Sequence, residues 1–156
     1  MAFRLVSSGG NVNDPAMVNM YCSGVVWPGH VVQYDTAAAG TGVSIGASTT
    51  TGTNAIGICL DYAQGASDKM VRVVPFTQDQ IWEADVNATI STAYIFLRHQ
   101  LYDSGSVNMT TYNHSGAAGI FFVYNMTGAA TGSGKVLGRF LVNNAPFKSG
   151  MYNVTG

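Results

Sequence analysis

Charge is what this chain has least of. Asp, Glu, Lys and Arg together supply 10% of its residues, against about 25% in soluble domains. The balance of 7 basic and 8 acidic residues leaves a net charge of -1. That argues against nucleic-acid binding, which needs clustered Lys and Arg to neutralise phosphates. Here Arg4, Lys69, Arg72, Arg98, Lys135, Arg139 and Lys148 are scattered along the chain. Long hydrophobic runs are missing too. Apolar residues reach 47%, yet nowhere do they form the stretch of about 20 that a membrane-spanning helix requires. The opening Met1-Ala2-Phe3-Arg4-Leu5-Val6-Ser7-Ser8 lacks the sustained apolar core of a secretory signal. No membrane partner is expected.

Cysteine is thin as well, with only Cys22 and Cys59. They could bridge only if their Cα atoms approached within about 7 Å, which the sequence leaves open; the simpler reading is two small buried apolar residues. No stretch carries a 3.6-residue apolar period beyond about two turns, which excludes a doubly wound α/β fold. What separates the apolar runs is Gly, Thr, Ala, Ser and Asn. A chain with that surface chemistry has little electrostatic protection against association and suits a building block that neighbours cover.

The runs themselves are short and β-favouring. Gly24-Val25-Val26-Trp27 stops at Pro28-Gly29, and His30-Val31-Val32-Gln33-Tyr34 resumes until Asp35. Ala55-Ile56-Gly57-Ile58-Cys59-Leu60 and Lys69-Met70-Val71-Arg72-Val73-Val74 follow, the second closed by Pro75. Ile81-Trp82-Glu83-Ala84-Asp85-Val86 alternates with a period of two, placing Trp82, Ala84 and Val86 on one face. Tyr94 to His99 reads as a buried strand or a helical turn, and residues 107–112 as a short strand. Ile120 to Met126 and Lys135 to Asn143 complete the set. Residues 36–54 are Gly/Thr/Ala-rich and read as a loop or weak edge hairpin with little core material.

These spacings predict an all-β fold, an antiparallel β-barrel or β-sandwich with Gly/Thr-rich loops. At 156 residues one domain suffices. The organisation expected is an N-terminal arm over residues 1–20, a single β domain over 21–145, and a C-terminal tail over 146–156, with both ends flexible. On the arm, Phe3, Leu5, Met17 and Met20 are the candidate contact anchors.

Motifs for chemistry dissolve on inspection. Gly42-Val43-Ser44-Ile45-Gly46 has the letters of a nucleophile elbow, but Gly and Thr flank it and no helix follows. Gly128 to Lys135 lacks the first glycine of a phosphate loop, and Val136 stands where a magnesium-binding hydroxyl belongs. His30, His99 and His114 have no partner at metal-ligand spacing. Glu83 and Asp85, two carboxylates on one strand face, read as solvated groups that guard an edge. Trp27, Trp82 and the tyrosines could form a sugar-stacking platform, though strand aromatics more often anchor cores or interfaces. Asn-x-Ser/Thr triplets at Asn87, Asn108, Asn113, Asn125 and Asn153 read as accidents of composition. No enzyme, no cofactor and no metal site are expected.

The order of segments nevertheless has a pattern. Trp27-Pro28-Gly29-His30-Val31-Val32, Ala55-Ile56-Gly57-Ile58 with Asp61 and Ala63, and Met70-Val71-Arg72-Val73-Val74-Pro75 form its first half. Gln80 to Val86 and Lys135 to Val142 form the second. Together they resemble the capsid decoration, or cement, proteins of tailed bacteriophages, over roughly Gly24 to Val142. The resemblance implies a structural virion protein, made in the host cytoplasm, that binds the outer surface of the major capsid protein lattice. It implies a homo-oligomer, with a trimer favoured, and stabilisation of the head against packaged DNA by binding the assembled shell. A tail- or fibre-associated virion protein with carbohydrate-binding loops is the alternative.

Overall fold

The computed structural model describes residues 2–7, 16–35, 42–64, 69–110, 116–127 and 134–142. Two sheets carry them. The first is a closed barrel of β2 (Val18–Cys22), β3 (Val31–Asp35), β4 (Gly42–Ile45), β5 (Ala55–Cys59) and β6 (Lys69–Pro75), in the order β2-β4-β3-β5-β6. The second joins β1 (Phe3–Ser7), β7 (Ile81–Val86), β8 (Arg98–His99), β9 (Leu101–Asp103), β10 (Ser106–Val107), β11 (Phe121–Thr127) and β12 (Lys135–Phe140). Its order is β8-β11-β12-β7-β10-β9, with β1 also on β7. One short 3-10 turn, Thr92–Tyr94, is the helical element among the described residues. The all-β barrel expectation holds. Within it, β2 with β4 and β7 with β10 pair parallel, and the other pairs are antiparallel.

A five-stranded barrel is narrow, and its filling shows why small side chains dominate. Cys22, Val26, Val32, Val43, Ile56, Cys59, Val71 and Val73 form one buried cluster. The larger cluster lies between barrel and sheet. Val31, Ala55, Ile58 and Val74 from the barrel strands meet Phe3, Trp82, Ala84, Leu101, Val107, Phe121, Val123, Val136 and Phe140 from the sheet. Phe140 is its hub, stacked on Phe76 at 3.9 Å and meeting Phe3 at 5.1 Å and Phe121 at 5.0 Å. Strand β5 is therefore buried along its whole length.

Three expectations change here. Residues 1–20 are not simply an arm: β1 is hydrogen-bonded to β7, with Phe3 opposite Ala84 and Leu5 opposite Trp82, and β2 pairs with β6 from Val18 onward. Residues 8–15 and the expected tail over 146–156 lie outside the described residues. Of the two readings of the Gly/Thr-rich segment, loop or weak edge hairpin, the strand reading is nearer: its second part pairs antiparallel with β3, though it is no edge because β2 pairs with it too. That part is β4, whose Val43 is fully buried in the barrel. Low apolar content misled because a narrow barrel needs only one valine there. The Trp27 region goes the other way, keeping a single bridge between Val26 and Ala63 instead of a strand.

Gly57 shows how tightly β5 is held. A Cβ at that position would fall on the carbonyl oxygen of Val74 and lie 2.8 Å from Val73 Cγ1. Backbone on the neighbouring strand cannot yield as a side-chain tip does. Gly57→Ala is expected to lower unfolding free energy by about 1–3 kcal/mol, the usual cost of overpacking a core. Urea denaturation of the two proteins measures it.

Candidate docking surface

The sheet covers the barrel through β3, β5 and the end of β6, leaving the outside of β2 and the start of β6 bare. On β2 Asn19 and Tyr21 face outward, Val18, Met20 and Cys22 turn toward the barrel interior, and Met17 just before the strand is exposed. Tyr21 stands opposite Met70, and Asn19 opposite Arg72. Asp61 then links Arg72 to the next element. It accepts the backbone N–H of Arg72 at 2.8 Å and its Nη2 at 2.6 Å. The Arg72 guanidinium holds the Asp61 carboxyl below the usual carboxylate range, against the upward pull of partial burial. Beside Asp61, Tyr62 lies 4.8 Å from Trp27, ring to ring at 51°.

The result is an apolar surface with one ion pair set in it. Trp27 is 49% exposed, Tyr62 51% and Met70 54%. The turn that presents Trp27 is a type II turn: His30 N–H donates to the Trp27 carbonyl, and Gly29 holds the φ of +80° that the turn demands. Clustered exposed aromatic and methionine side chains are the chemistry of surfaces that proteins, membranes or ligands cover. Chemically the patch offers shape and dispersion, with no nucleophile or base at its centre.

Of the four anchors read from the sequence, Met17 alone lies exposed on this face. Phe3 is in the main core, Leu5 packs against that core from β1, and Met20 packs against the barrel interior. Trp82 is also core, at right angles to Phe76, so no platform joins it to Trp27. Residues 1–20 show no sustained period of two or 3.6 in the sequence, so nothing local told inside from outside there. Trp27, Tyr62 and Met70 gave no joint signal, because the bridge and the barrel closure that unite them are not local.

The remaining candidates separate. Ser44 sits in β4 opposite Gln33, not on a strand-to-helix turn. Residues 128–133 and His114 lie outside the described residues. His30 Nδ1 meets Ser104 Oγ at 2.7 Å. The buried His99 places Nδ1 3.2 Å from the Asn108 carbonyl and Nε2 3.1 Å from that of Tyr94, which ties β8 to two loops. Among the described residues no three His, Cys, Asp or Glu gather as metal ligands. Glu83 and Asp85 do not guard an edge. Strand β7 is interior, flanked by β12 on one side and by β1 and β10 on the other. Glu83 pairs with Arg4 at 3.1 Å, and Asp85 with Lys135 at 3.0 Å. Burial pushes the Asp85 carboxyl up, but the Ala2 N–H and the Lys135 ammonium outweigh it and leave the group below its usual range. The Asn108 side chain accepts the N–H of Thr110 two residues on, as turn asparagines do, whereas Asn87 accepts the N–H of the distant Met109.

The thiols complete the inventory. Cys22 and Cys59 are free and buried inside the barrel. Burial pushes the Cys59 thiol up to about 11, and the Cys22 thiol upward as well. Because the folded state disfavours thiolate, stability is intact below the ordinary thiol range and falls as pH climbs from there toward about 11. Thermal melts from pH 8 upward should show that fall, and Cys59→Ala should flatten it. A disulfide reagent at neutral pH should label both cysteines only after unfolding. Compared with known proteins, the chain matches no family model and no curated sequence.

Proposed function

We propose that the chain is a structural virion protein, a capsid decoration or cement protein that binds the outer surface of the major capsid protein lattice. It stabilises the head against internal DNA pressure by binding the assembled shell and not its free subunits. The observation that carries the reading is the exposed Trp27, Tyr62, Met70 and Tyr21 face on a rigid barrel. The sparse charge fits a surface repeated many times over a lattice, where weak contacts add through effective concentration. The segment pattern from Gly24 to Val142 points the same way. In this reading the protein is not an enzyme, works as a homo-oligomer with a trimer favoured, and resides on the outside of the virion.

A tail- or fibre-associated protein with carbohydrate-binding loops is the second reading, favoured by the exposed Trp27 and Tyr62 rings. Their 51° tilt makes a wedge, whereas sugar faces stack best on an open flat ring. Emptied capsids discriminate between the two. The purified chain should bind them saturably, and Trp27→Ala or Met70→Ser should weaken binding at least tenfold, about 1.4 kcal/mol or more for an interface anchor. Both side chains are half exposed, so the fold should survive the changes. Glycan-array binding without capsid binding would overturn the first reading in favour of the second.

A further inference from the structure

A second surface, on the seven-stranded sheet and away from the barrel face, has different chemistry. Arg98 on β8 and Arg139 on β12 both stand opposite Phe122 of β11, so three adjacent strands present Arg, Phe, Arg on one face. At about 5 Å per strand the two arginine backbones are about 10 Å apart, within reach of one ligand for such long side chains. Both line a groove of ≈ 390 Å³, together with Gly52, Thr53, Gln78, Ala117, Leu141 and Val142.

Among the described residues, no carboxylate lines that groove. The ion pairs among the described residues join Arg4 and Lys135 to Glu83, Lys135 to Asp85, and Arg72 to Asp61, and neither groove arginine takes part. Asp79, next to the lining Gln78, accepts the Thr77 hydroxyl. Arg98 is held in place by donating Nε to the Gly119 carbonyl at 3.0 Å. Arg139 Nε is buried and has no hydrogen-bond acceptor. A buried donor on a cation is costly to leave unmatched, and in native proteins such groups mark a place where something else completes the bonding. Two guanidiniums without acids on a concave, partly apolar wall make an oxyanion the matching charge.

We propose that this groove binds a small organic anion. Arg139 and Arg98 hold its carboxylate or phosphate head, and Ala117, Leu141 and Val142 pack on its apolar body. The volume lies in the range of small-molecule sites. The site is independent of the lattice-binding face, so either can fail without the other.

The test is an NMR amide and guanidinium titration of the full chain with benzoate, its uncharged analogue benzamide, and inorganic phosphate. Benzoate should shift the Arg98, Arg139, Leu141 and Val142 signals saturably, benzamide should not, and phosphate should compete. Arg139→Gln and Arg98→Gln should each weaken benzoate about tenfold or more, and Arg139→Lys should restore only part, since lysine lacks the planar fork. If Arg139→Gln fails to fold, Arg98→Gln and a salt series on the parent chain decide, with affinity falling as salt rises. Equal binding of benzoate and benzamide, no saturation with benzoate, phosphate binding alone, or unchanged affinity in the folded glutamine variants would each overturn the proposal.

Discussion

Strand β5 is buried on both faces, and the molecule is arranged around that. Ile56 and Cys59 belong to the barrel interior, and Ala55 and Ile58 to the layer between barrel and sheet. The flanking strands divide in the same way, Val31 from Val32 and Val74 from Val73. Neither layer can loosen without exposing the other. At Gly57 the backbone of β6 presses directly against β5, leaving no room for a side chain. Hydrogen bonds from Phe3 to Gly29 and from Val31 to Ser104 stitch the same seam with backbone groups.

That division determines what is left for function. Valine and cysteine fill the barrel, and aromatic rings around Phe140 fill the seam. The faces that remain are the outside of β2 and β6 and the outer face of the sheet. On the first the polar content is small and mostly tied up in Asp61 and Arg72. On the second the acids of β7 are matched to Arg4 and Lys135, and among the described residues the two arginines beside Phe122 have no acidic partner, Arg98 donating instead to the Gly119 and Gly116 carbonyls. Phe96, 68% exposed and held at a φ of 61° by a hydrogen bond to Val123, lies beside Phe122 on the same sheet. A bulky residue in the left-handed region is unusual and costs strain, so the ring is held outward by its surroundings.

Much of the fold was legible wherever one face is polar. Strand β7 runs from Ile81 to Val86 as its alternation predicts, with Trp82, Ala84 and Val86 buried. β5, β6, β11 and β12 were legible from β-branched and aromatic runs, and Pro28-Gly29 as a stop. β4 was legible only as one of two alternatives, loop or weak edge hairpin, since its only deeply buried large residue is Val43. β1 was missed because its partner β7 lies some eighty residues away, and pairing at that distance leaves no local trace. The docking face was half legible. Met17 could be nominated, but Phe3, Leu5 and Met20 look alike in sequence and differ only in which sheet covers them. The groove arginines were invisible for the same reason: they meet through a common neighbour, Phe122.

On the proposed function, the barrel face of Trp27, Tyr62 and Met70 is covered in the assembled particle. Hydroxyl-radical footprinting of the chain, free and bound to capsids, tests it most directly, since exposed methionine and aromatic side chains oxidise readily. The account predicts strong modification of Trp27, Tyr62 and Met70 in the free chain, protection of all three when bound, and a silent Trp82 in both states. Equal modification of the three in free and bound chain would contradict it.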